Sequence, residues 1–563
     1  MAKPKSRPQL SFESAYMADD ASGIAQDHWC RSFFEHVYCA FDDAQFAGMY
    51  EEGGRYPVSP SFLASVTLLQ FMFRASDRAA VENTIMRRDW RIALGITPDY
   101  DGFHPTVLVR FRQRLVAQGM TEELFGTVLG RMERLGMLRD RRRLRVDATH
   151  LVADVARLSR ADAVSEAIRV VVNAAAKRYP ELSQDEGFMR LYERYGQECW
   201  VGTGDAGDER LVQLGRDGLW LLAVLGERPV NGKETLAALL EQHFIVEPQD
   251  GLRPRGPDDP DVPDPIVTPH EPDARWGKKG EREWVGDKVH IAETAAQDGR
   301  PNVITDVLVT DPRVEDSTVT QQIAERARSG PSEADTLIAD GGYASAANTA
   351  AVARMQMDLV APPRANTRKD GKLSIEEFSL DFERQVAICP EGHESLWWRE
   401  RKRDIQIRFD TAVCAVCPRR SECTDSTRGR TLAPSLHYEQ LQRDRARAQT
   451  EEFKALYRLR APIEATVSEL VHRCGLRRSR YRGAPFRALH AVMAVTALNV
   501  RRMLRWLATP QGRQAASAAC RCRFLAAPGR ILGAIRALWA TWAIPRAVAE
   551  IFRHPGAITH QPA

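Results

Sequence analysis

The sequence predicts an α/β core with insertions, preceded by an all-α domain and followed by a helical tail. Three observations predict it: apolar residues at helical spacing across 28–140, a change at Arg143 to short β-like runs, and a return of helical periodicity late in the chain. At 563 residues the chain is too long for one compact core, so a main domain with insertions or several smaller units is expected.

The opening stretch, MAKPKSRPQLSFESAYMADD, lacks the apolar run of a secretory signal; residues 1–27 are expected to be disordered and the chain not exported. Across 28–140 the segments FLASVTLLQFMFR, AAVENTIMRRDWRIALG and TVLVRFRQRL read as helices, punctuated by Pro57, Pro60, Pro98 and Pro105. The third follows the turn signal GFHP and carries Arg110, Arg112 and Arg114. It suits either a DNA recognition helix or an ordinary amphipathic helix with a charged outer face.

Residues 141–505 hold the core. LRVDATHLVADV, EWVGDKVHIAET and NVITDVLVT read as strands, STVTQQIAERARS as a helix, and DTLIADGGY and MDLVAPP as further strands. Three strands, helix, strand, helix, strand, and a late helix around Glu464 match the ribonuclease-H-like layout, in which carboxylates from the first strand, the fourth strand's end and a late helix converge at one edge. Two inserts interrupt it. The first, 157–275, begins as helices and ends in PQDGLRPRGPDDPDVPDPIVTPHEPDA, whose Pro and Asp content predicts a solvated, disordered linker. The second, 365–450, carries a cysteine cluster. In the tail, 506–563, ILGAIRALWATWAIPRAVAEIF is interrupted by Arg536, Pro545, Arg546 and Glu550, which predicts a packing or oligomerisation helix rather than a membrane span.

The formal charge is only +4, but 79 Lys and Arg residues are unevenly spread, with Arg concentrated in Arg139 to Arg145 and Arg473 to Arg487. Forked guanidinium groups suit phosphate contacts, although most charge runs are solvated faces. Ten cysteines without an export signal are expected to be reduced thiols or metal ligands. Cys389-Pro-Glu-Gly-His393 and Cys414-Ala-Val-Cys417, with Cys423 beyond, resemble two knuckles of a zinc ribbon. Five candidates contend for four places; Cys389, Cys414, Cys417 and Cys423 are preferred, with His393 as the substitute. Trp397 and Trp398 are expected to pack the insert's small core.

The carboxylates are the sharper signal. Asp147 sits in apolar alternation after Leu144 and Val146, and Asp340 ends the run Leu337-Ile338-Ala339 before Gly341-Gly342. Glu464 lies seven residues after Tyr457 and four after Arg460, a spacing that places all three on one helical face. Hard divalent cations need hard oxygens, and phosphoryl-transfer sites hold two such ions about 4 Å apart. Glu469 is a rival to Glu464, turned away from Tyr457 and Arg460.

On these residues the chain resembles the DDE transposases of bacterial insertion sequences, in the group whose third carboxylate sits in a Tyr-x2-Arg-x3-Glu-x6-Lys signature. Tyr457, Arg460 and Glu464 match; the Lys position is Val471, followed by His472 and Arg473. The resemblance extends to WVGDKVH with Lys288 and His290, to the cysteine insert and to LRRSRYRG, over most of Tyr56 to Arg502. It implies binding to terminal inverted repeats in double-stranded DNA, cleavage at the element's ends and transfer of the freed 3′-hydroxyl to target DNA. Asp147, Asp340 and Glu464 would hold two Mg²⁺ or Mn²⁺ ions, and Tyr457 and Arg460 would position the strand. Arg473, Arg477, Arg478, Arg480 and Arg482 would track phosphates, and Tyr481 would either stack on a base or pack in the core. A homodimer at the bacterial nucleoid, in the cytoplasm, is expected. His150 and His290 are expected to be structural. Two other classes compete: a DNA-binding protein without catalysis, and a metal-dependent nuclease that does not join strands.

Overall fold

A computed structural model of the chain describes residues 23–525 except 26, 51–57, 156, 198–207, 248–250, 261, 263, 364–370 and 403. The expected disordered start, up to residue 22, and the tail from 526 lie outside the described residues. Among the described residues no helix is long and apolar enough to cross a membrane.

The three segments expected as helices across 28–140 form as Pro60–Phe73, as Asp77–Met86 and Arg88–Leu94, separated where Arg87 turns extended, and as Thr106–Ala117; Trp29–His36 and Thr121–Arg134 are further helices of the same span. Pro60–Phe73 carries no charged residue and is buried on every side through Met72; the Ser59 hydroxyl accepts the Phe62 N–H at its start, and Arg74 ends it at φ 55°. The helix Thr106–Ala117 spends one of its arginines internally. Arg112 is buried and donates both Nη groups to Asp77, while Arg114 lies over the Tyr50 ring at 4.6 Å.

These helices do not close their core alone. The long helix Ala484–Leu507 runs through it, buried along most of its length, so one hydrophobic core joins Phe33, Leu68 and Phe111 to Met493, Leu498 and Met503. Polar side chains on that helix pair with distant backbone and charge, because a buried donor without a partner is costly. Asn499 exchanges two hydrogen bonds with Ile304 (3.0 and 2.7 Å). Arg487, fully buried, ion-pairs with Glu271 and Asp287.

The central sheet takes its strands from far apart: β1 (Arg143–Val152), β4 (Arg275–Lys279), β5 (Arg282–Thr294), β6 (Ile304–Thr310), β7 (Thr336–Ile338) and β8 (Asp358–Val360), in the order β4-β5-β1-β7-β8 with β6 also on β5. β1 is antiparallel to β5, with Asp147 opposite Ile291, and parallel to β7, which is parallel to β8. The sheet is therefore mixed. All five predicted strands form, and the helices Asp316–Ser329 and Ala346–Arg354 fall where expected. β4 is an addition: RWGKK has no apolar alternation, yet it hairpins onto β5 through Gly280 at φ 62°.

The first insert builds a core of its own. Helices Arg160–Arg178, Glu186–Tyr195, Asp208–Leu225 and Lys233–His243, with the hairpin β2–β3 (Phe244–Glu247 and Gly251–Pro254), enclose Ile168, Val171, Phe188, Leu221 and Leu236. The Pro- and Asp-rich stretch, expected to be disordered, is instead ordered through its described residues. Thr268 and Glu271 are both 1% exposed, because Glu271 accepts from the Gly483 N–H and from Arg487. Charge pairing across more than 200 residues of chain replaces the apolar surface this segment lacks.

Burial sets one pH response. His36, His290 and His490 are buried, and burial first of all pushes each imidazole down to about 4, with nearby cations such as Arg131 and Arg480 adding to it. The unfolded chain takes up these protons from about pH 6.5 downward while the folded chain stays neutral to about 4, so stability is lost as pH falls through that window. Thermal melts from pH 7 to pH 4.5 are expected to show a falling Tm. A Tm flat to pH 5 would contradict this.

Candidate active site

β1 is ten residues long, but only Arg143 to Arg145 pair with β7. Beyond that point β1 projects past the end of β7. Asp147 therefore stands beside the place where the chain leaves β7 at Asp340. The last residues of β1 are held by a later segment: Val152 donates to the Arg477 carbonyl (2.9 Å) and accepts from the Ser479 N–H (2.8 Å).

Asp147 is largely buried; one carboxylate oxygen accepts its neighbour Ala148 N–H at 2.8 Å. Burial raises its pKa, an effect that the Arg460 charge opposes and the Asp340 charge reinforces. Asp340 accepts the Gly342 N–H at 2.7 Å. A Cβ at Gly342 would lie 2.8 Å from Asp340 Oδ1 and 3.1 Å from Asp316 Oδ2, so a side chain there would displace these carboxylates. Glu464 occupies the first turn of the helix Ile463–Cys474, where a negative charge is favoured by the helix dipole. Ile463 is buried, and its neighbour Glu464 consequently points outward, with its side chain 76% exposed.

One guanidinium joins the three acids. Arg460 Nη2 lies 3.2 Å from Asp147 Oδ2 and 3.5 Å from Asp340 Oδ2, and its Nη1 lies 3.9 Å from Glu464 Oε1. Among the described residues its buried Nε has no hydrogen-bond partner. Tyr457, Arg460 and Glu464 do not share one continuous helical face, contrary to the spacing argument. Tyr457 lies in the helix Glu451–Arg458, stacked on Phe453 (6.0 Å, 14°), and a turn ending at Pro462 separates it from the Glu464 helix. Proline has no N–H to continue a helix, and the turn it enforces swings Arg460 inward.

The support beneath this arrangement had no sequence motif. Glu293 on β5, fully buried, accepts from Arg145 (2.7 Å), from Thr466 of the Glu464 helix (2.8 Å) and from Arg502. Arg145 also donates to the Leu459 carbonyl at 3.2 Å, and Arg502 to Thr466 at 2.7 Å and Glu469 at 3.0 Å. Sheet, turn and helix are thereby tied at one buried carboxylate. Glu469, the rival acid, is engaged by Arg502, Arg505 and Arg473, away from Asp147 and Asp340. On the other side Lys288 Nζ donates to Asp316 at 3.1 Å and to the Val314 carbonyl at 2.6 Å. His290 pairs with Tyr343 (2.8 Å) and Thr310 (3.1 Å), which makes it a satisfied structural histidine, as expected.

The arginines after Cys474 divide into two sets. Arg480 donates to the Ala75 carbonyl at 2.6 Å and lies over Phe71, and Arg477 donates to the His150 carbonyl at 3.0 Å. Arg473, Arg478 and Arg482 are exposed. Tyr481 packs edge-on against Phe71 and His490, the core alternative of the two expected for it.

In the second insert Cys389, His393, Cys414, Cys417 and Cys423 line one cavity. Among the described residues no group of three or more His, Cys, Asp or Glu side chains is drawn into metal-holding geometry. At the acidic cluster the donors are all hard oxygens, a set suited to Mg²⁺ or Mn²⁺, and Arg460 is the cation already among them.

Two stretches match transposase family models. Residues 388–504 match the transposase DDE domain, and residues 21–114 match the transposase domain (DUF772). The first match contains Arg460, Glu464 and all four clustered cysteines; Asp147 and Asp340 lie outside both. No curated protein and no solved structure matches the chain. The matches support a DDE transposase, for which DNA is the implied substrate.

Proposed function

We propose that this chain is a transposase that binds the terminal inverted repeats of its insertion sequence, cleaves the element's ends and transfers the strands to target DNA. One observation carries the reading: carboxylates at positions 147, 340 and 464 meet on the Arg460 guanidinium. The strand order, with three parallel strands following an antiparallel pair, is the order a ribonuclease-H-like core needs and supports the same reading.

In this mechanism Asp147, Asp340 and Glu464 present oxygen donors at the open end of β7. Two Mg²⁺ or Mn²⁺ ions, when bound there, supply activation of the attacking oxygen and charge stabilisation of the leaving oxygen. Glu293, through Thr466 and Arg145, holds the Glu464 helix and the Arg460 turn in register with the sheet. Arg460 neutralises the acids in the free protein and, once released, faces the scissile phosphate, with Tyr457 on the same approach. Arg473, Arg478 and Arg482 contact the phosphate backbone; Arg477 and Arg480, spent on the His150 and Ala75 carbonyls, support that segment from beneath. Two ends must be joined, so a homodimer on DNA is the working assembly.

Replacing Arg460 by Gln removes the competing cation. Calorimetric titration with Mn²⁺ in the absence of DNA is expected to give about tenfold tighter binding, the worth of a charge-assisted hydrogen bond, while cleavage of DNA ends falls. Unchanged Mn²⁺ affinity would mean the guanidinium does not occupy the ions' place.

A donor plasmid carrying paired inverted ends tests the function. Excision with insertion of the element elsewhere is expected. Cutting without insertion would instead make the protein a nuclease, and end binding without cutting a non-catalytic DNA-binding protein, the reading that Val471 favours by replacing the signature Lys.

A further inference from the structure

The second insert is a small body with little to hold it together. Its strands, β9 (Ser379–Asp381), β10 (Val386–Ile388), β11 (Trp397–Glu400), β12 (Ile405–Arg408) and β13 (Thr431–Leu432), form one two-stranded and one three-stranded sheet. Among the described residues its buried core is Phe378, Ala387, Ile405, Ile407, Phe409 and Leu432 alone. Bodies of this size ordinarily need a disulfide or a metal. Its cysteines are all free thiols.

We propose that Cys389, Cys414, Cys417 and Cys423 bind one structural Zn²⁺. The four thiols, brought from two separated turns, line a single cavity of about 30 Å³. The first turn is a knuckle: Gly392 at φ 81° folds the chain back so that the His393 N–H donates to Cys389 Sγ at 3.4 Å and Cys389 N–H to the His393 carbonyl at 2.9 Å. The second is the Cys414-to-Cys417 turn, followed by the short helix Arg420–Cys423.

His393 lines the same cavity but is an exposed residue, and the bond it makes to a sulfur is from its backbone N–H to Cys389 Sγ, so the four thiols are the proposed set. Four thiolates on Zn²⁺ leave two net negative charges; Arg419 and Arg430 line the same cavity, as do Glu391, Glu394 and Asp410. Arg430 further ties the site together, donating to the Cys423 carbonyl at 2.9 Å and to the Leu373 carbonyl at 2.7 Å. Binding releases the thiol protons and draws the sulfurs inward, closing the insert. The closed body in turn seats the helix Tyr438–Ala448, through Phe382 stacked on Tyr438 (6.2 Å, 24°) and Arg445 paired with Glu376, at the head of the segment leading to Glu464. The site is structural: four protein ligands leave no open position for chemistry.

Metal analysis of the full chain tests this. About one zinc per chain is expected. Exchange into Co²⁺ is expected to produce sulfur-to-cobalt charge-transfer absorption and the intense d–d bands of a tetrahedral site. Cys417→Ser is expected to lose the metal, and His393→Ala to keep it with an unchanged cobalt spectrum. Should Cys417→Ser fail to fold, alkylation of the native chain reports the same site: zinc slows it and a chelator restores it. A chain without zinc, whose thiols alkylate equally with and without added zinc, would overturn the site. Loss of metal in His393→Ala would overturn the four-thiol ligand set. Neither result depends on DNA cleavage, so the proposal stands or falls apart from the transposase reading.

Discussion

Asp340→Asn is expected to lower cleavage of DNA ends by about 10³-fold while leaving end binding and folding nearly intact. The size follows from the several kcal/mol that a correctly held divalent ion contributes to a phosphoryl-transfer transition state, at about 1.4 kcal/mol per factor of ten. Asn keeps the shape of Asp and an oxygen that can still accept the Gly342 N–H, the local bond made at 2.7 Å. It loses the charge that pairs with Arg460 and that a cation requires. Three measurements separate site from scaffold: cleavage of a labelled end, a mobility shift for end binding, and the melting temperature. Cleavage at the parent rate would remove Asp340 from the site. Loss of binding and folding together with cleavage would make it a structural residue.

Arg487→Met is expected to destabilise the protein by about 3–5 kcal/mol, the cost of breaking a buried ion pair from one side. Arg487 is wholly buried, 0% exposed, and it meets Glu271 and Asp287, with Asp273 at 3.4 Å. Met fills much of the volume but leaves two acids in the interior without a cation. The loss also carries a pH signature. Burial already raises the Asp287 carboxyl above its ordinary value even beside the guanidinium, and without that partner it rises further. The folded variant then takes up a proton before the unfolded chain does, so its deficit shrinks as pH falls. Urea unfolding at pH 7 and pH 5 checks both statements. A deficit under 1 kcal/mol, or one that grows on acidification, would show that the cluster is hydrated and not a buried anchor.

The two predictions sample the legible and the illegible parts of the chain. The acids could be found because each stands at a change of local pattern: Asp147 within apolar alternation, Asp340 between an apolar run and two glycines, Glu464 at the start of a periodic segment. Strands β1, β5, β6, β7 and β8 were legible for the same reason. β4 was not, since RWGKK is polar and becomes a strand only through its hairpin with β5. Glu293, Arg145, Thr466 and Arg502 carried no signal, because their pairing joins residues up to 209 positions apart. The proline- and aspartate-rich stretch reads as disordered on composition, yet Glu271 and Asp273 within it are paired with Arg487, from the far end of the core.

What the sequence determined by itself is whatever depends on neighbours within a few turns: which apolar-patterned segments are strands or helices, and which acids and thiols are available. The tertiary structure alone decided how charge is spent. Arg460 lies among the acids, Arg480 and Arg112 are consumed in the interior, and Glu469 faces Arg502 and Arg505. Hydrophobic periodicity is a local property written at fixed spacing. The partner of a charge is set by whichever opposite charge folding buries beside it, and no spacing along the chain encodes that.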